Sequence, residues 1–537
     1  MKNRRILSLA LAACLAAVTL IGCTPKTVDK PKNSETLQDI SKYEPQKDKK
    51  YQITWTAYQA APVNENPEII KIFNDMYNVD IDIWNIDSQK YEEILALKFA
   101  SNEIPDVIRT HNYDLLRQYV RQNVLTEIST ELVQTYAPNL YEEYVGVEPE
   151  YFNKYAGIVN DKLYGINQLK QRAEYRKPVV YRGDWMKKVG VDKYPETLEE
   201  FETLMYKFAN EDPDGNGKKD TYGLSLSAMQ MVYGAFGYTP SNTWPKLEMP
   251  SVQWEMNGDN VVFSAVQPEM KEAIALLNKW YADGVLDPEF ITGDDVGSKL
   301  ADSFIKGKIG VSCSGYYFNW TPTIDGYTEL AVIRSELEKI DKSIADQLVF
   351  GVPVTGTTGK RGVKQEQIIS SVMTTFGKQL KDEPDKLGKV LQVIDNICFA
   401  DYETSQIAYY GEKGKKWNLN KYGVAESVEN PWNYAEAAKE GGHTQLIIFQ
   451  SLTLGKMVPD LTKWLDDIKL KEGGHRDVIY GGLPSQNKYK SELERIQAEA
   501  YIAMITGEKP LSYFDEFVQK WRAAGGDVLE KEANEQK

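Results

Sequence analysis

The chain has 537 residues, of which 42% are hydrophobic, so it is long and apolar enough to fold into more than one packed lobe. Its formal net charge is −15, and no basic patch interleaved with aromatic residues is present, which excludes nucleic acid as a partner. The 3 His residues are scattered, and no HExxH or CxxC motif occurs, so the sequence gives no indication of a zinc site.

The N-terminus predicts a lipoprotein signal peptide over residues 1–22. A basic "MKNRR" precedes an apolar run that is too short to span a bilayer and ends in "LIGC", which is similar to a bacterial lipobox with Cys23 as the lipidated residue. A second candidate, "LAAC" ending at Cys14, would leave an apolar stretch exposed after cleavage. A plain secretory signal with an incidental Cys is the alternative. Residues 23–50 are polar and aperiodic, which predicts a flexible tether anchored by lipid to the outer face of the cell membrane.

From residue 51 the pattern alternates between strands and helices. The predicted order is strand "YQITWTAY", helix "NPEIIKIFNDMYN", strand "VDIDIWNI", helix "QKYEEILALKFASNE" and strand "PDVIRT". This order indicates a parallel sheet with helical crossovers, and ligands of such sheets bind beyond the carboxyl ends of the strands. Tyr58, residues 85–87 and "RTHN" (Arg109–Asn112) are therefore expected on one functional edge.

A second unit begins near residue 169. Two β-like stretches bracket Gln168–Arg176, and a helix then carries Trp185. A further helix, "YPETLEEFETLMYKFANE", has Thr197 as its cap with Glu200 three residues later. The segment "YGLSLS" predicts a strand. Four later segments, "MKEAIALLNKWYADG", "EPDKLGKVLQVIDNICFA", "ELERIQAEAYIAMITGE" and "SYFDEFVQKWRAAGG", predict helices.

The stretch "DPDGNGKKDTYG" (Asp212–Gly223) has the spacing of a calcium loop. The residues at the ligand positions of an EF-hand loop can all supply oxygen atoms. They are Asp212, Asp214, Asn216, the Lys218 carbonyl and Asp220. Gly223 stands where a bidentate Glu is usual. Because the loop joins a helix to a strand, we expect a structural Ca²⁺ and no switch; a polar turn without metal is the alternative.

Over nearly all of its length the chain resembles bacterial extracellular solute-binding proteins of the sugar-binding class, the large lipoproteins of oligosaccharide ABC importers. The resemblance rests on the order and spacing of several stretches: "LIGC", "YRGDWMKKVGVDKYPETLEEF", "DPDGNGKKDTYG", "KWYADGVLDPEF", "FIKGKIGVSCSGYY", "YYGEKGKKW" and "FDEFVQKWRAAGGDVLEKEAN".

The resemblance implies two α/β lobes joined by a hinge of crossing segments and closing on a sugar. The expected lobes are residues 51–168 plus 350–400, and residues 169–349 plus 401–537, the second carrying the calcium-like loop. Implied partners are an oligosaccharide and the subunits of an ABC permease, with contact to the membrane through the lipid anchor alone and the protein as a monomer. Relatives carry calcium at the loop.

An aromatic residue in the loop after the "GK" strand stacks on the sugar in maltose-binding relatives. The matching position is Tyr317, where Trp is common, and Tyr316 and Trp320 are the alternatives. Aromatic rings in loops and at strand ends can also stack on a pyranose, which adds Trp55, Tyr58, Trp244 and Trp417. Polar groups for sugar hydroxyls are expected on the cleft edges, from Asn85, Asp87, His111, Asn112, Gln168, Gln171 and Arg172. Each of these polar residues has a cap or turn role as its alternative.

Three further questions stay open at the level of sequence. Cys313 and Cys398 are either buried free thiols or one disulfide. A glycan-binding adhesin or sensor component is the main functional alternative to transport. A secreted glycoside hydrolase is another, but no pair among the 78 acidic residues stands out, and no GxSxG motif or Cys/His pairing indicates an enzyme.

Overall fold

The computed structural model describes residues 39–59, 62–240, 254–292, 300–327, 329–429, 434–442, 449 and 451–536. Cys23 and Trp244 therefore lie outside the described residues. The strands in chain order are β1 Tyr51–Gln59, β2 Val79–Asp87, β3 Val107–Thr110, β4 Gly157–Val159, β5 Lys162–Leu169, β6 Val179–Tyr181, β7 Trp254–Asn257, β8 Asn260–Phe263, β9 Val311–Ser312, β10 Val349–Gly351, β11 Val363–Lys364, β12 Ile369–Phe376, β13 Trp417–Leu419, β14 Ala425–Ser427 and β15 Gly474–His475.

Helices pack against the sheets of both lobes. In chain order they are α1 Glu68–Tyr77, α2 Tyr91–Ala100, α3 Tyr113–Arg121, α4 Thr130–Tyr136, α5 Pro138–Val147, α6 Gly183–Lys188, α7 Leu198–Asn210, α8 Met229–Ala235, α9 Glu269–Ala282, α10 Asp302–Ile305, α11 Val332–Asp346, α12 Pro384–Cys398, α13 Tyr402–Tyr410, α14 Tyr434–Lys439, α15 Pro459–Asp467, α16 Gln486–Ile505, α17 Tyr513–Trp521 and α18 Asp527–Gln536. Within the described ranges, no helix combines the length and apolarity needed to cross a bilayer.

The first lobe is built on a six-stranded sheet with the order β2-β1-β3-β12-β5-β4. Strands β1, β2 and β3 are parallel, as the alternating pattern predicts, whereas β12 is antiparallel to both β3 and β5. Helices α1, α4, α5 and α12 bury their apolar faces against this sheet, with Phe73, Leu132, Leu140 and Leu391 in one cluster. The α/β fold class is confirmed for this lobe.

The second lobe is built on a smaller antiparallel sheet with the order β10-β6-β9. Its core is the largest hydrophobic cluster and joins α6, α7, α9, α16 and α17 through residues such as Trp185, Phe208, Trp280, Tyr501 and Trp521. Helix α7 begins at the expected capping box, in which Thr197 and Glu200 bond each other's backbone N–H groups. The predicted strand "YGLSLS" is wrong: Tyr222 and Leu224 form only isolated bridges, to Ile309 and Leu286, before a 3₁₀ turn begins at Leu226.

Three crossing segments join the lobes. The first runs from β5 to β6, the second from β10 to β12 and includes β11, and the third includes β15. Strands β11 and β15 pair in parallel, and Arg176 forms a bridge with Gln365, so all three segments are held together. Arg176 is buried and donates to the carbonyls of Glu472 (2.7 Å), Lys177 (2.9 Å) and Gly351 (3.0 Å). This connection is the expected hinge of crossing segments.

The packing corrects two of the expected lobe boundaries. Ala408, Ala437 and Phe449 lie in the hydrophobic cluster of the first lobe, so the chain does not pass to the second lobe at residue 401. Strand β10 pairs with β6 in the second-lobe sheet, so the first lobe does not resume at residue 350. Both errors arise because lobe membership depends on long-range packing. Cys313 and Cys398 are buried in different lobes as free thiols, which settles that alternative.

Candidate functional site

One edge of the first sheet faces the second lobe. The carboxyl ends of the parallel strands β1, β2 and β3 lie at this edge, together with the end of β5 and the start of β12, where Leu169 pairs with Ile369. The chain leaves for the other lobe after β5 and returns into β12, so the edge must border the cleft between the lobes. The expected functional edge therefore lies beside the hinge.

Four side chains meet at this edge and form what we call the Arg109 cluster: Tyr58, Tyr91, Arg109 and His111. The ring of Tyr58 stands edge-on to Tyr91 at 5.4 Å and to His111 at 4.6 Å between centroids. The Arg109 guanidinium lies 4.9 Å from the centre of the Tyr58 ring. The position of Tyr91 is fixed by its hydroxyl, which donates to the Arg109 carbonyl (3.0 Å) and lies within hydrogen-bonding distance of Thr56 Oγ1 (2.8 Å).

The Arg109 cluster contains polar atoms without partners. Arg109 Nε and His111 Nε2 are both buried and make no hydrogen bond. Burial lowers the pKa of the Arg109 guanidinium, and the only groups that counteract this are the Tyr91 and Tyr58 hydroxyls. Burial and the charge of Arg109 lower the pKa of His111, although His111 Nδ1 lies 3.3 Å from Glu92 Oε1. The imidazole is therefore neutral at pH 7, and Arg109 is the one charge within the cluster.

A second group lies on the hinge, which we call the Glu366 cluster: Lys170, Arg172, Tyr316 and Glu366. Glu366 accepts hydrogen bonds from Lys170 Nζ (3.1 Å), Arg172 Nε (2.8 Å) and the Tyr316 hydroxyl (2.5 Å). The Arg172 guanidinium also lies 4.5 Å from the centre of the Tyr316 ring. Because Tyr316 follows β9 of the second lobe, this cluster connects two crossing segments to that lobe.

The Glu366 carboxylate is held in its charged form. Burial alone would raise its pKa, but Lys170 and Arg172 outweigh burial and lower the pKa of Glu366 to about 2. The same carboxylate raises the pKa of Arg172 against the opposing effect of burial. The cluster is thus a complete ion-pair network at neutral pH.

Tyr317 faces the cleft from the second lobe. It follows β9, which runs parallel to β10 and so ends on the hinge side of the second sheet. Its half-buried ring stands edge-on to Tyr175 of the first crossing segment, with 5.2 Å between centroids. The structure therefore places Tyr58 and His111 at the hinge-side edge of the first sheet, and Arg172, Tyr316 and Tyr317 on the hinge or beside it.

Three predicted sugar-stacking residues are wrong, because their side chains are inside cores. Trp55 is 1% exposed, and Trp320 and Trp417 are 0% exposed. The indole N–H of Trp320 donates to the Ser314 carbonyl and that of Trp417 to the Gly411 carbonyl, both at 2.9 Å. Such rings have no free face to offer a sugar. Position along a strand or loop does not reveal this, since burial is set by the neighbouring helices.

Several predicted polar contacts serve the local backbone. Asn112 caps α3 by accepting from the N–H groups of Asp114 and Leu115. Asn85 accepts from the Val63 N–H, and Asp87 accepts from the Gln89 N–H. Both of these side chains are exposed at the end of β2, and Gln168 is half-buried at the end of β5. They lie on the expected edge, and ligand contact by any of them stays a prediction.

Four residues of the two clusters, Tyr91, Arg109, Lys170 and Glu366, are missing from the sequence-based choice of ligand contacts. Arg109 lies in "RTHN", on the predicted edge, but an argument based on sugar hydroxyls favours its neighbours His111 and Asn112. Glu366 has no local signal, since its partners lie 50 to 196 positions away in the chain. Only the hinge brings them together.

The calcium-like loop lies at the end of α7, in the second lobe. Asn216 Nδ2 donates to Asp214 (2.6 Å) and Asp220 (3.1 Å), while the N–H groups of Asn216 and Gly217 donate to Asp212. Burial and the carboxylates of Asp212 and Asp220 raise the pKa of Asp214. In the described part of the chain, no three acidic, His or Cys side chains are grouped as a metal cluster. The loop nevertheless gathers oxygen ligands whose mutual repulsion a cation would relieve, which fits Ca²⁺.

Comparison with known proteins finds two Bacillus subtilis proteins that are similar to most of the chain. No family model matches the chain. Lipoprotein LipO of Bacillus subtilis is 26% identical over 495 residues, covering 88% of this chain and 89% of LipO. The polygalacturonan/rhamnogalacturonan-binding protein YtcQ of the same organism is 24% identical over 550 residues, covering 99% and 98%.

A solved structure supports the fold. The ABC-transporter substrate-binding protein FusA of Streptococcus pneumoniae, an EF-hand mutant in complex with fructo-nystose, has a TM-score of 0.62 at 16% identity and covers 90% of this chain and 98% of FusA. The chain is therefore a homologue, over nearly its whole length, of bacterial lipoproteins and solute-binding proteins, and the resemblance found in its sequence is confirmed.

Proposed function

We propose that this protein captures an oligosaccharide between its two lobes and delivers it to an ABC permease. The proposal rests on the arrangement of the two lobes around a hinge of three crossing segments. On the first lobe, the carboxyl edge of the sheet carries aromatic rings and unpartnered polar atoms. On the second lobe, Tyr316 and Tyr317 lie on the hinge side. Flat rings and polar groups on opposite walls match the apolar faces and hydroxyls of sugar rings. The names of YtcQ and FusA describe proteins that bind glycans or serve ABC transporters.

The mechanism is hinge closure. A sugar that contacts the first lobe at the Arg109 cluster and the second lobe at Tyr317 gains both sets of contacts only when the lobes approach. Binding energy therefore shifts the population toward the closed form, which is the form a permease would recognise. The protein binds its ligand and does not transform it, as the names of its relatives indicate.

The location follows from the N-terminus. Lipidation of Cys23 would hold the body at the outer face of the membrane through the tether of residues 23–50, and the relative LipO is a lipoprotein. A single anchored receptor per permease needs no self-association, so we propose a monomer. Retention of a Cys23→Ala variant on membranes would contradict the anchor.

A test of the binding function compares a cleft residue with a tyrosine elsewhere in the second lobe. Titration calorimetry with neutral and acidic oligosaccharides identifies a ligand, and Tyr317→Ala is expected to weaken its binding severalfold, since an aromatic contact contributes about 1 kcal/mol. The matched control is Tyr513→Ala on α17, beside Lys509 and Lys520, which is expected to bind normally. Equal effects of the two changes would contradict the proposed site.

Two further measurements, of oligosaccharide import and of the recovered ligand, separate the alternative functions. A glycan adhesin or sensor binds sugar but supports no uptake, so deletion of the gene would leave oligosaccharide import unchanged. A glycoside hydrolase would shorten the ligand, which chromatography of the recovered sugar detects. Loss of import with an intact recovered ligand supports the transport receptor.

We also propose a structural Ca²⁺ in the loop, held by Asp212, Asp214, Asn216, the Lys218 carbonyl and Asp220. Calcium at about 100 times its Kd would stabilise the folded lobe by about 2.7 kcal/mol. Chelator and Asp214→Ala are each expected to lower the melting temperature, while Asp192→Ala, an exposed acid of the same lobe, changes it little. A melting temperature that ignores both treatments would make the stretch a polar turn.

A further inference from the structure

Arg109 is the unusual charge of the cleft. Its side chain is partly buried, and its Nε makes no hydrogen bond. Among the residues that the structure describes, no carboxylate is paired with it; its guanidinium lies over the Tyr58 ring, 4.9 Å from the ring centre. A partly buried guanidinium with an unpartnered Nε and no counter-ion is a cost to the fold, and a ring face returns less than a carboxylate would.

Other buried arginines of the chain have partners. Arg182 forms a two-pronged pair with Asp184, with Nε 2.8 Å from one oxygen and an Nη 2.6 Å from the other. Arg334 pairs with Glu338 and Asp346 and donates to the Ala345 carbonyl. Arg176 satisfies backbone carbonyls in the hinge. The absence of such a partner at Arg109 therefore marks a place where the fold itself does not use the charge.

The place of this charge points to a ligand. Arg109 is on the edge that borders the cleft, between the Tyr58 ring on one side and the unpartnered His111 Nε2. An arginine without a carboxylate among its described neighbours stands out in a chain whose net charge is −15.

We propose that Arg109 binds the carboxylate of a uronic acid residue, so that the ligand of the cleft is an acidic oligosaccharide. A guanidinium presents parallel N–H groups that match the two oxygens of a carboxylate. The Tyr58 ring lies beside the guanidinium and offers its remaining apolar edge to the sugar, and His111 Nε2 meets a neighbouring hydroxyl. This assignment rests on the proposed function and narrows its substrate class.

The first experiment needs no variant. Titration calorimetry compares a trisaccharide of galacturonic acid with its methyl ester, which has the same shape and no charge, and with a sulfated neutral trisaccharide. We expect the free acid to bind at least tenfold more tightly than the ester. Equal binding of acid and ester would overturn the carboxylate subsite and leave sugar binding intact, as would binding of the sulfated sugar alone. A failure of every acidic and neutral oligosaccharide would overturn both proposals.

The second experiment locates the effect at Arg109. Arg109→Gln is expected to remove the preference for the acid over the ester, and Arg109→Lys to retain part of it, because the charge stays but the paired donors are lost. The matched control is Arg121→Gln, which removes the same charge from the exposed end of α3 in the same lobe and is expected to keep the full preference.

A structural role would give a different pattern. If Arg109 only supported the fold, Arg109→Gln would lower the melting temperature of the ligand-free protein and weaken acid and ester equally. We expect the ligand-free melting temperature to stay the same or rise. Loss of the acid preference in the Arg121→Gln control as well would trace it to the general charge of the lobe and overturn the assignment.

Discussion

The Glu366 cluster and the Arg109 cluster each hold an arginine beside a tyrosine ring, and they differ in what balances its charge. In the first, a single carboxylate accepts from Lys170, Arg172 and the Tyr316 hydroxyl, so the charges are matched inside the protein. In the second, Arg109 meets two tyrosines and a neutral imidazole, and two buried nitrogen atoms have no partner.

The difference separates structure from binding. A matched network stabilises the geometry of the hinge, and its charges are already balanced inside the protein. An unmatched cation reduces the stability of the empty protein and is available to an incoming anion. A basic residue near a cleft is therefore not by itself a sign of anion binding. Whether the basic residue can bind an anion depends on whether the protein already supplies its counter-ion.

The largest expected effect compares two arginines directly. Arg176→Met removes the donor to several buried carbonyls of the crossing segments and is expected to lower the free energy of unfolding by about 3 kcal/mol. Arg109→Met is expected to leave the free energy of unfolding unchanged or to raise it, because it removes an unpaired charge. Urea unfolding of the ligand-free proteins, followed by fluorescence and circular dichroism together, measures both.

Similar losses in the two arginine variants would break the comparison. They would mean that the fold uses Arg109 as it uses Arg176. Arg121→Met, at the exposed end of α3, is the control for removing a positive charge from this acidic protein and is expected to change stability by less than about 0.5 kcal/mol.

The next effect breaks the matched network. Glu366→Gln leaves Lys170 and Arg172 without their shared counter-ion and is expected to lower the free energy of unfolding by about 2 kcal/mol at pH 7. Glu92→Gln, beside the Arg109 cluster, is the matched control, because the half-exposed Glu92 carboxylate only approaches His111 at 3.3 Å. A comparable loss in Glu92→Gln would contradict the distinction between the clusters.

The pH dependence sharpens this prediction. The pKa of Glu366 is lowered in the folded protein to about 2 from an ordinary value of 4.5, so the unfolded chain binds the proton first as pH falls. The stabilisation is thus complete above about pH 4.5 and is lost between there and pH 2. The stability difference between wild type and Glu366→Gln should shrink in this window, as measured by urea unfolding at each pH. A constant difference would show that the carboxylate is not the source.

The smallest effect concerns the two tyrosine hydroxyls. Tyr316→Phe removes a hydrogen bond to a charged carboxylate and is expected to lower the free energy of unfolding by about 1.5 kcal/mol. Tyr58→Phe keeps the ring beside Arg109 and is expected to cost less than about 0.5 kcal/mol. Calorimetric melting curves of the two variants measure the contrast, and a larger loss for Tyr58→Phe would reverse it.

Local signals in the sequence determined much of this protein. The alternation of strand and helix patterns from residue 51 predicts the parallel arrangement of β1, β2 and β3, because crossover helices connect parallel strands. The capping box at Thr197 is also correct, since side chains within a few residues of one another form it. The calcium site indicated by the spacing from Asp212 stays a prediction. The edge that carries Arg109 and His111 follows from the same alternation.

Only the tertiary structure decided which residues on that edge are available. Trp320 and Tyr317 are three positions apart, yet one is enclosed by Phe304 and its neighbours and the other borders the cleft. Glu366 is paired with cations from distant segments, whereas Arg109 has no acidic partner among the residues that the structure describes. Burial and charge pairing depend on which segments the hinge and the packed helices bring together, and short-range pattern contains no information on contacts between residues far apart in the chain.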